Sequence, residues 1–270
     1  MRQYLVDAFA RQPFRGGPAC VVEPFAQWPD DAWMQAVGME NNQAETAFLR
    51  RTQTPGRFDL RWFTPTLEVK LCGHATLASA HVLFTELGET GEVLTFSTLS
   101  GDLMVRRADG RLEMDFPAYP PHDLPPIPEL AKALGVTPKA VYGGPALIAL
   151  LDTEAAVRAV APDLKALPPY AEASVYNDRH VIVTAPADPD QPYDAVSRLF
   201  APDMGIDEDP ATGSMHCMLT PLYHRLTGRT VFDFYQAHPK RGAEIQAELD
   251  GNRVKLRGHA VTVARCELLL

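Results

Sequence analysis

The chain is poor in cysteine and has no cysteine pattern. Cys20, Cys72, Cys217 and Cys266 are widely spaced, with no Cys-x-x-Cys. That spacing fits neither a disulfide scaffold nor a zinc site of paired cysteines, so reduced thiols are expected. Basic excess is missing too: 25 Lys and Arg stand against 34 Asp and Glu, a net charge of −9. Nucleic-acid binding needs clustered cations, so nucleic acid is not the expected partner. An anionic small molecule stays open, because local donors can override net charge. No apolar run approaches the roughly 18 residues needed to span a bilayer, and Met1-Arg2-Gln3-Tyr4-Leu5-Val6-Asp7 lacks a signal-peptide core. The expectation is a cytoplasmic protein without a membrane partner.

Cofactor signatures are equally scarce. Gly16-Gly17 and Gly143-Gly144 lie outside any strand-Gly-x-Gly-x-x-Gly-helix order, and no Gly-x-x-x-x-Gly-Lys-Ser/Thr occurs. The eight histidines, His216 among them, make no His-x-x-x-His or other recognised ligand spacing. Neither cofactor nor metal is expected.

What the chain does have is a long internal echo. Arg61-x-Phe63-x-Pro65 leads to Gly73-His74, an apolar segment, Gly101 and a turn at Asp109-Gly110. Arg198-x-Phe200-x-Pro202 leads to Gly213-Ser214, an apolar segment, Gly242 and a turn at Asp250-Gly251. Gly73 to Gly101 and Gly213 to Gly242 are nearly equal intervals, and such self-similarity marks a duplicated unit. Tyr4 to Phe9 alternates as a strand, Ala19 to Val22 is a short apolar strand, and Pro29-Asp30-Asp31 opens a helix with Trp33, Met34 and Val37 on one face. Thr46 to Arg50 and Arg57 to Phe63 read as a strand pair. Ala75 to Leu87 and Met215 to Leu226, ended by Gly88 and Thr227-Gly228, read as helices apolar nearly all round and therefore buried. Pro117 to Pro128 holds six prolines, too many for a helix or central strand. The expected organisation is a lobe over 1–117, a proline-rich linker over 118–128 and a second lobe over 129–258. The strand pattern after 259 could close either lobe.

Four ordered motifs carry a resemblance: Asn42-Gln43-Ala44-Glu45-Thr46-Ala47-Phe48, Arg61 to Val69, Cys72-Gly73-His74-Ala75-Thr76, and Gly205 to Ser214 with its Asp209-Pro210-Ala211-Thr212-Gly213 core. Together they resemble the PhzF (phenazine biosynthesis) family over nearly the whole chain. The resemblance implies an α+β diaminopimelate epimerase-like fold: two pseudo-symmetric lobes, each a mostly antiparallel sheet around a central helix, with a site between them. It also implies a homodimer and a cofactor-independent isomerase acting on a small carboxylated substrate.

By that resemblance Glu45 is the acid/base, His74 and Asp209 handle protons, and Ser214 positions substrate. The residues agree with such chemistry. Glu45 stands at the mouth of a strand, where burial would raise its pKa and suit it to proton transfer. Gly73 and Gly213 open buried helices whose free N–H groups favour an anion. Asp209 and Ser214 also suit helix capping. Cys72 lies where related two-cysteine epimerases carry a thiol, but the second turn has none, so packing is the favoured role for Cys72, with a place at the site second. Cys217, inside the presumed helix, is expected to pack. Asn42 and Arg15 are candidate polar residues at the site. Gly17 stands where the family often has Asn, either altering ligand preference or only serving a turn with positive φ. The alternatives are an amino-acid epimerase or racemase, and a metabolite-binding protein without catalysis.

Overall fold

The computed structural model describes residues 1–170, 179–204 and 206–269. The loop positions Tyr176, Asn177 and Asp178, and Gly205 of the fourth motif, lie outside the described residues. The chain divides into two compact units, Met1–Asp115 with Arg257–Leu270, and Phe116–Leu256.

The first unit runs β1 (Arg2–Ala8), β2 (Gly17–Phe25), α1 (Asp31–Asn41), β3 (Glu45–Arg51), β4 (Arg57–Phe63), β5 (Glu68–Val69), α2 (Gly73–His81), β6 (Val93–Thr98), β7 (Gly101–Ala108) and β8 (Arg111–Pro117). β1 pairs antiparallel with β2, β2 parallel with β3, and β3 antiparallel with β4. β4 then pairs antiparallel with β5 and parallel with β6, and β6 pairs antiparallel with β7.

The second unit repeats that order. It runs β9 (His122–Leu124), α3 (Pro128–Leu134), β10 (Ala140–Gly143), β11 (Leu147–Leu150), α4 (Glu154–Ala159), β12 (Val181–Pro186), β13 (Ala195–Ala201), β14 (Ile206–Asp209), α5 (Gly213–Thr227), β15 (Val231–Gln236), β16 (Ala243–Asp250) and β17 (Arg253–Gly258). β10–β11, β12–β13, β13–β14 and β15–β16 are antiparallel, while β11–β12 and β13–β15 are parallel. These match the first unit pair for pair. The proline-rich stretch counts with this unit: within it β9 pairs antiparallel with β10, and Pro128 opens α3.

The last strand, β18 (Ala260–Glu267), pairs antiparallel with β1 and so belongs to the first unit. Glu86 fastens it there, accepting from Thr262 Oγ1 and Arg265 Nε at 2.7 Å each, while His81 Nε2 meets Thr262 Oγ1 at 3.0 Å.

The repeated Arg-x-Phe motif has a structural reason. Alternate strand residues share a face, so Arg61 lies over the Phe63 ring and Arg198 over Phe200. Each guanidinium then grips a glutamate on the next strand with two bonds, Arg61 to Glu68 and Arg198 to Glu208, all within 2.8 Å. Their remaining donors diverge. Arg61 Nη1 reaches Asp31 in the first turn of α1, whereas Arg198 Nη1 takes the carbonyls of Val157, Arg158 and Val160 at the end of α4.

α2 and α5 are the most buried helices of their units. Small residues let α2 be covered on all sides, and its buried hydroxyls are satisfied locally, Thr76 on the Cys72 carbonyl and Ser79 on the Ala75 carbonyl. The predicted single helix over 75–87 is α2 followed by a π turn at Val82–Glu86, in which the Leu87 N–H reaches the Val82 carbonyl, and Gly88 follows at φ +73°. In α5 an internal proline, Pro221, removes the N–H that would bond Cys217. The Tyr119 N–H takes that carbonyl instead, at 2.9 Å.

One local expectation is corrected. The positive φ in the first glycine pair belongs to Gly16, at +62°, where a Cβ would meet the Ala8 carbonyl oxygen at 2.0 Å. Gly17 is instead the first residue of β2, paired with Ala8. The turn and the strand start divide the two glycines between them.

Candidate active site

Three chemically active side chains meet in the first unit. Glu45 is the first residue of β3. Cys72 is the extended N-cap of α2 and His74 the second residue of that helix. The pairing of β2 with β3 and the packing of α2 against both bring a strand start to a helix start. All three are buried, at 5–7% exposure.

His74 Nε2 lies 2.9 Å from Glu45 Oε2, and His74 Nδ1 lies 3.6 Å from Cys72 Sγ. The imidazole therefore sits between a carboxylate and a thiol. The Glu45–His74 contact is an electrostatic approach whose alignment does not complete a hydrogen bond, leaving both buried atoms with bonding capacity. Burial opposes charge on His74, but the neighbouring Cys72 and Glu45 outweigh it and hold the imidazole well above its ordinary pKa. Burial pushes the Cys72 thiol up to about 11, with Glu45 adding to the rise. At neutral pH the thiol is thus protonated.

The start of α2 adds donors. Thr76 makes the first helical bond, to the Cys72 carbonyl at 3.3 Å, so the N–H groups of Gly73 and His74 precede the helical ladder. Cys72, favoured for packing from sequence, is buried as expected but also touches the imidazole.

The second unit builds its turn differently. Asp209 Oδ1 accepts from the Ala211 N–H at 3.1 Å and Oδ2 from the Thr212 hydroxyl at 2.6 Å. Gln236 binds the same turn, accepting from the Thr212 N–H and donating to the Asp209 carbonyl, both at 2.6 Å. The N-cap of α5 is Thr212, without a side-chain capping bond. Asp209 thus braces the turn instead of capping the helix, and Ser214, also a capping candidate, is the exposed second helical residue. Gly213 opens the helix as expected.

His216 in α5 has a structural role. Its Nδ1–H donates to the Thr212 carbonyl at 2.9 Å, its ring meets Phe234 edge-on, and burial lowers its pKa to about 4. Asn42 is exposed and left-handed at φ +48°, and its N–H ends α1 on the Gly38 carbonyl. Arg15 is exposed.

Comparison with known proteins now decides the family. The family model described as phenazine biosynthesis-like protein, PhzC-PhzF, matches residues 6–266. The chain belongs to the PhzF family. Similar curated proteins carry isomerase names: an uncharacterized isomerase of Pseudomonas aeruginosa is 47% identical over 96% of this chain and 95% of its own. A human phenazine biosynthesis-like domain-containing protein is 38% identical, with 96% of each chain covered. Among solved structures, a PhzF-family protein of Enterococcus faecalis aligns with a TM-score of 0.92 at 38% identity, covering 100% of this chain and 99% of that one.

This PhzF-family chain is accordingly an isomerase with the diaminopimelate epimerase-like α+β fold expected from its motifs. Among the described residues no helix is long and apolar enough to cross a membrane.

Proposed function

We propose that this isomerase moves a proton, and with it a double bond, within a small carboxylated metabolite, without a cofactor. Glu45 takes the proton from carbon and returns it to another position, and His74 stabilises and resupplies charge beside it. The observation that carries this reading is the buried 2.9 Å approach of Glu45 Oε2 to His74 Nε2, both atoms lacking a hydrogen-bond partner. A buried carboxylate–imidazole pair can accept and release protons with little competition from solvent. The N–H groups of Gly73 and His74 suit the substrate's carboxylate or the enolate oxygen that forms as the carbon loses its proton. In the second unit we assign Asp209, Gly213 and Ser214 to substrate positioning, with Asp209 acting through the turn it braces.

The epimerase alternative gives Asp209 the second proton. Both oxygens of Asp209 are already engaged within its own turn, which supports a proton shift centred on Glu45 and His74. Incubation in D2O with a pool of small amino and dihydroaromatic acids tests the proposal. Deuterium gained by one compound and lost with Glu45→Gln supports it. Gain that survives in Glu45→Gln, or inversion at a single carbon as the only product, contradicts it.

A further inference from the structure

We propose that Glu45, Cys72 and His74 also form a zinc-binding site, and that a bound zinc ion switches off the proton-transfer pair. One donor atom from each residue lies within 4.8 Å of the others. The Cys72 Sγ to His74 Nδ1 separation of 3.6 Å is already that of two ligands on tetrahedral zinc: bonds of about 2.3 Å to sulfur and 2.0 Å to nitrogen place the two atoms about 3.6 Å apart. The Glu45 carboxylate, which lies against the other ring nitrogen, Nε2, completes the set by swinging round the ring edge to the Nδ1 side.

Three features favour a metal over mere proximity. Glu45 Oε2 is buried without a hydrogen-bond partner, so it breaks no hydrogen bond to turn toward an ion. One thiolate and one carboxylate neutralise a dication, so the complex places no net charge in a buried site. The donors stand on elements that hold their spacing: Cys72 and His74 flank Gly73 at the start of α2, and Glu45 begins β3, which packs on that helix. Thiolate and imidazole select zinc over magnesium or calcium. Three protein ligands leave the fourth position to water, and the positive end of α2 opposes a cation, so binding is weaker than at a closed four-ligand structural site.

Occupation ties up Glu45 and His74 together, which makes zinc an inhibitor of the reaction proposed above and not its cofactor. The binding test needs no substrate, so it stands apart from that reading. The full chain is titrated with Co2+ as the probe, following the thiolate-to-cobalt charge-transfer band, and zinc is then added to displace it. The expected result is a band saturating at one ion per chain, absent in Cys72→Ser and unchanged in Cys266→Ser, which removes the exposed thiol. His74→Gln, with the thiol intact, weakens the affinity at least about 10-fold and serves if Cys72→Ser fails to fold. Absence of the band in the wild type, its loss in Cys266→Ser, or unchanged affinity in His74→Gln overturns the proposal. Once a substrate is found, deuterium incorporation that persists at zinc saturation overturns the inhibitory role.

Discussion

The two halves of this chain share a strand order and differ in what they put at equivalent places. The repeat aligns Phe63 with Phe200, and strand register then aligns Thr46 with Val181, since these face the two phenylalanines. Glu45 therefore corresponds to His180. In the helix starts, Cys72 corresponds to Thr212, His74 to Ser214 and Thr76 to His216. The last pair shares one structural role, because the Thr76 hydroxyl and the His216 ring each donate to the carbonyl of the helix N-cap. The other pairs have diverged. The first unit gathers three buried ionisable groups, while the second fills its turn with hydrogen bonds among Asp209, Ala211, Thr212 and Gln236. Duplication preserved the scaffold of a helix start and left chemistry free to concentrate on one copy.

The largest effect should come from the copy that carries the chemistry. Glu45→Gln is expected to lower solvent-deuterium incorporation by about 10²–10⁴-fold or more, the range for a positioned acid/base group. His74→Asn should follow it closely, whereas Ser214→Ala, at the equivalent place, should cost far less. Equal losses at His74 and Ser214 would break the comparison.

The arginine pair should separate next, in stability. Arg198 is 5% exposed and serves one glutamate and three carbonyls; Arg61 is 19% exposed and serves two carboxylates near solvent. Urea denaturation of Arg198→Ala should show a loss of about 3–5 kcal/mol, as for a broken buried pair, and Arg61→Ala a smaller one. Equal losses would mean the shared Phe stacking, not the differing carbonyl contacts, dominates.

The two buried histidines should leave opposite marks on stability against pH. His216 is held neutral, with its pKa lowered to about 4 by burial. The unfolded chain protonates it first, so its contribution is lost as pH falls from about 6.5 toward 4, by roughly 3 kcal/mol at 1.36 kcal/mol per unit. His74 is raised, so its contribution is present below about 6.5 and disappears as pH rises through its folded value. Chemical denaturation across pH with His216→Gln should flatten the acid limb. The smallest change is expected at Asp209→Ala, about 1–3 kcal/mol from two unanswered turn donors.

Much of this is readable in the residues. The helices, the Arg-x-Phe repeat and the glycine turns are local patterns, and local patterns survive folding. The return of β18 to the first unit is not, because alternating residues fix a strand but not its partner; Glu86, which holds β18 through Thr262 and Arg265, sits far away in sequence. Pro221 inside α5 is equally illegible, because only a remote donor, Tyr119, makes it tolerable. At the candidate site the residue types and turns are legible, and the placing of Cys72 against His74 is not. Two residues apart at a helix start, they meet only because the N-cap is extended and the next turn helical. Asp209's engagement with its own turn likewise needs Gln236, on a strand distant in sequence.

Cys72 and Glu45 together hold the buried His74 imidazole above its ordinary pKa on one copy of the repeat, while burial lowers His216 on the other. Nitrogen-15 NMR titration of the imidazoles in the wild type and in Glu45→Gln tests it directly. The account requires His74 to titrate clearly above its ordinary value of about 6.5 and to fall in Glu45→Gln, with His216 neutral throughout the neutral range. A His74 that titrates at or below that ordinary value, or one indifferent to Glu45→Gln, would contradict it.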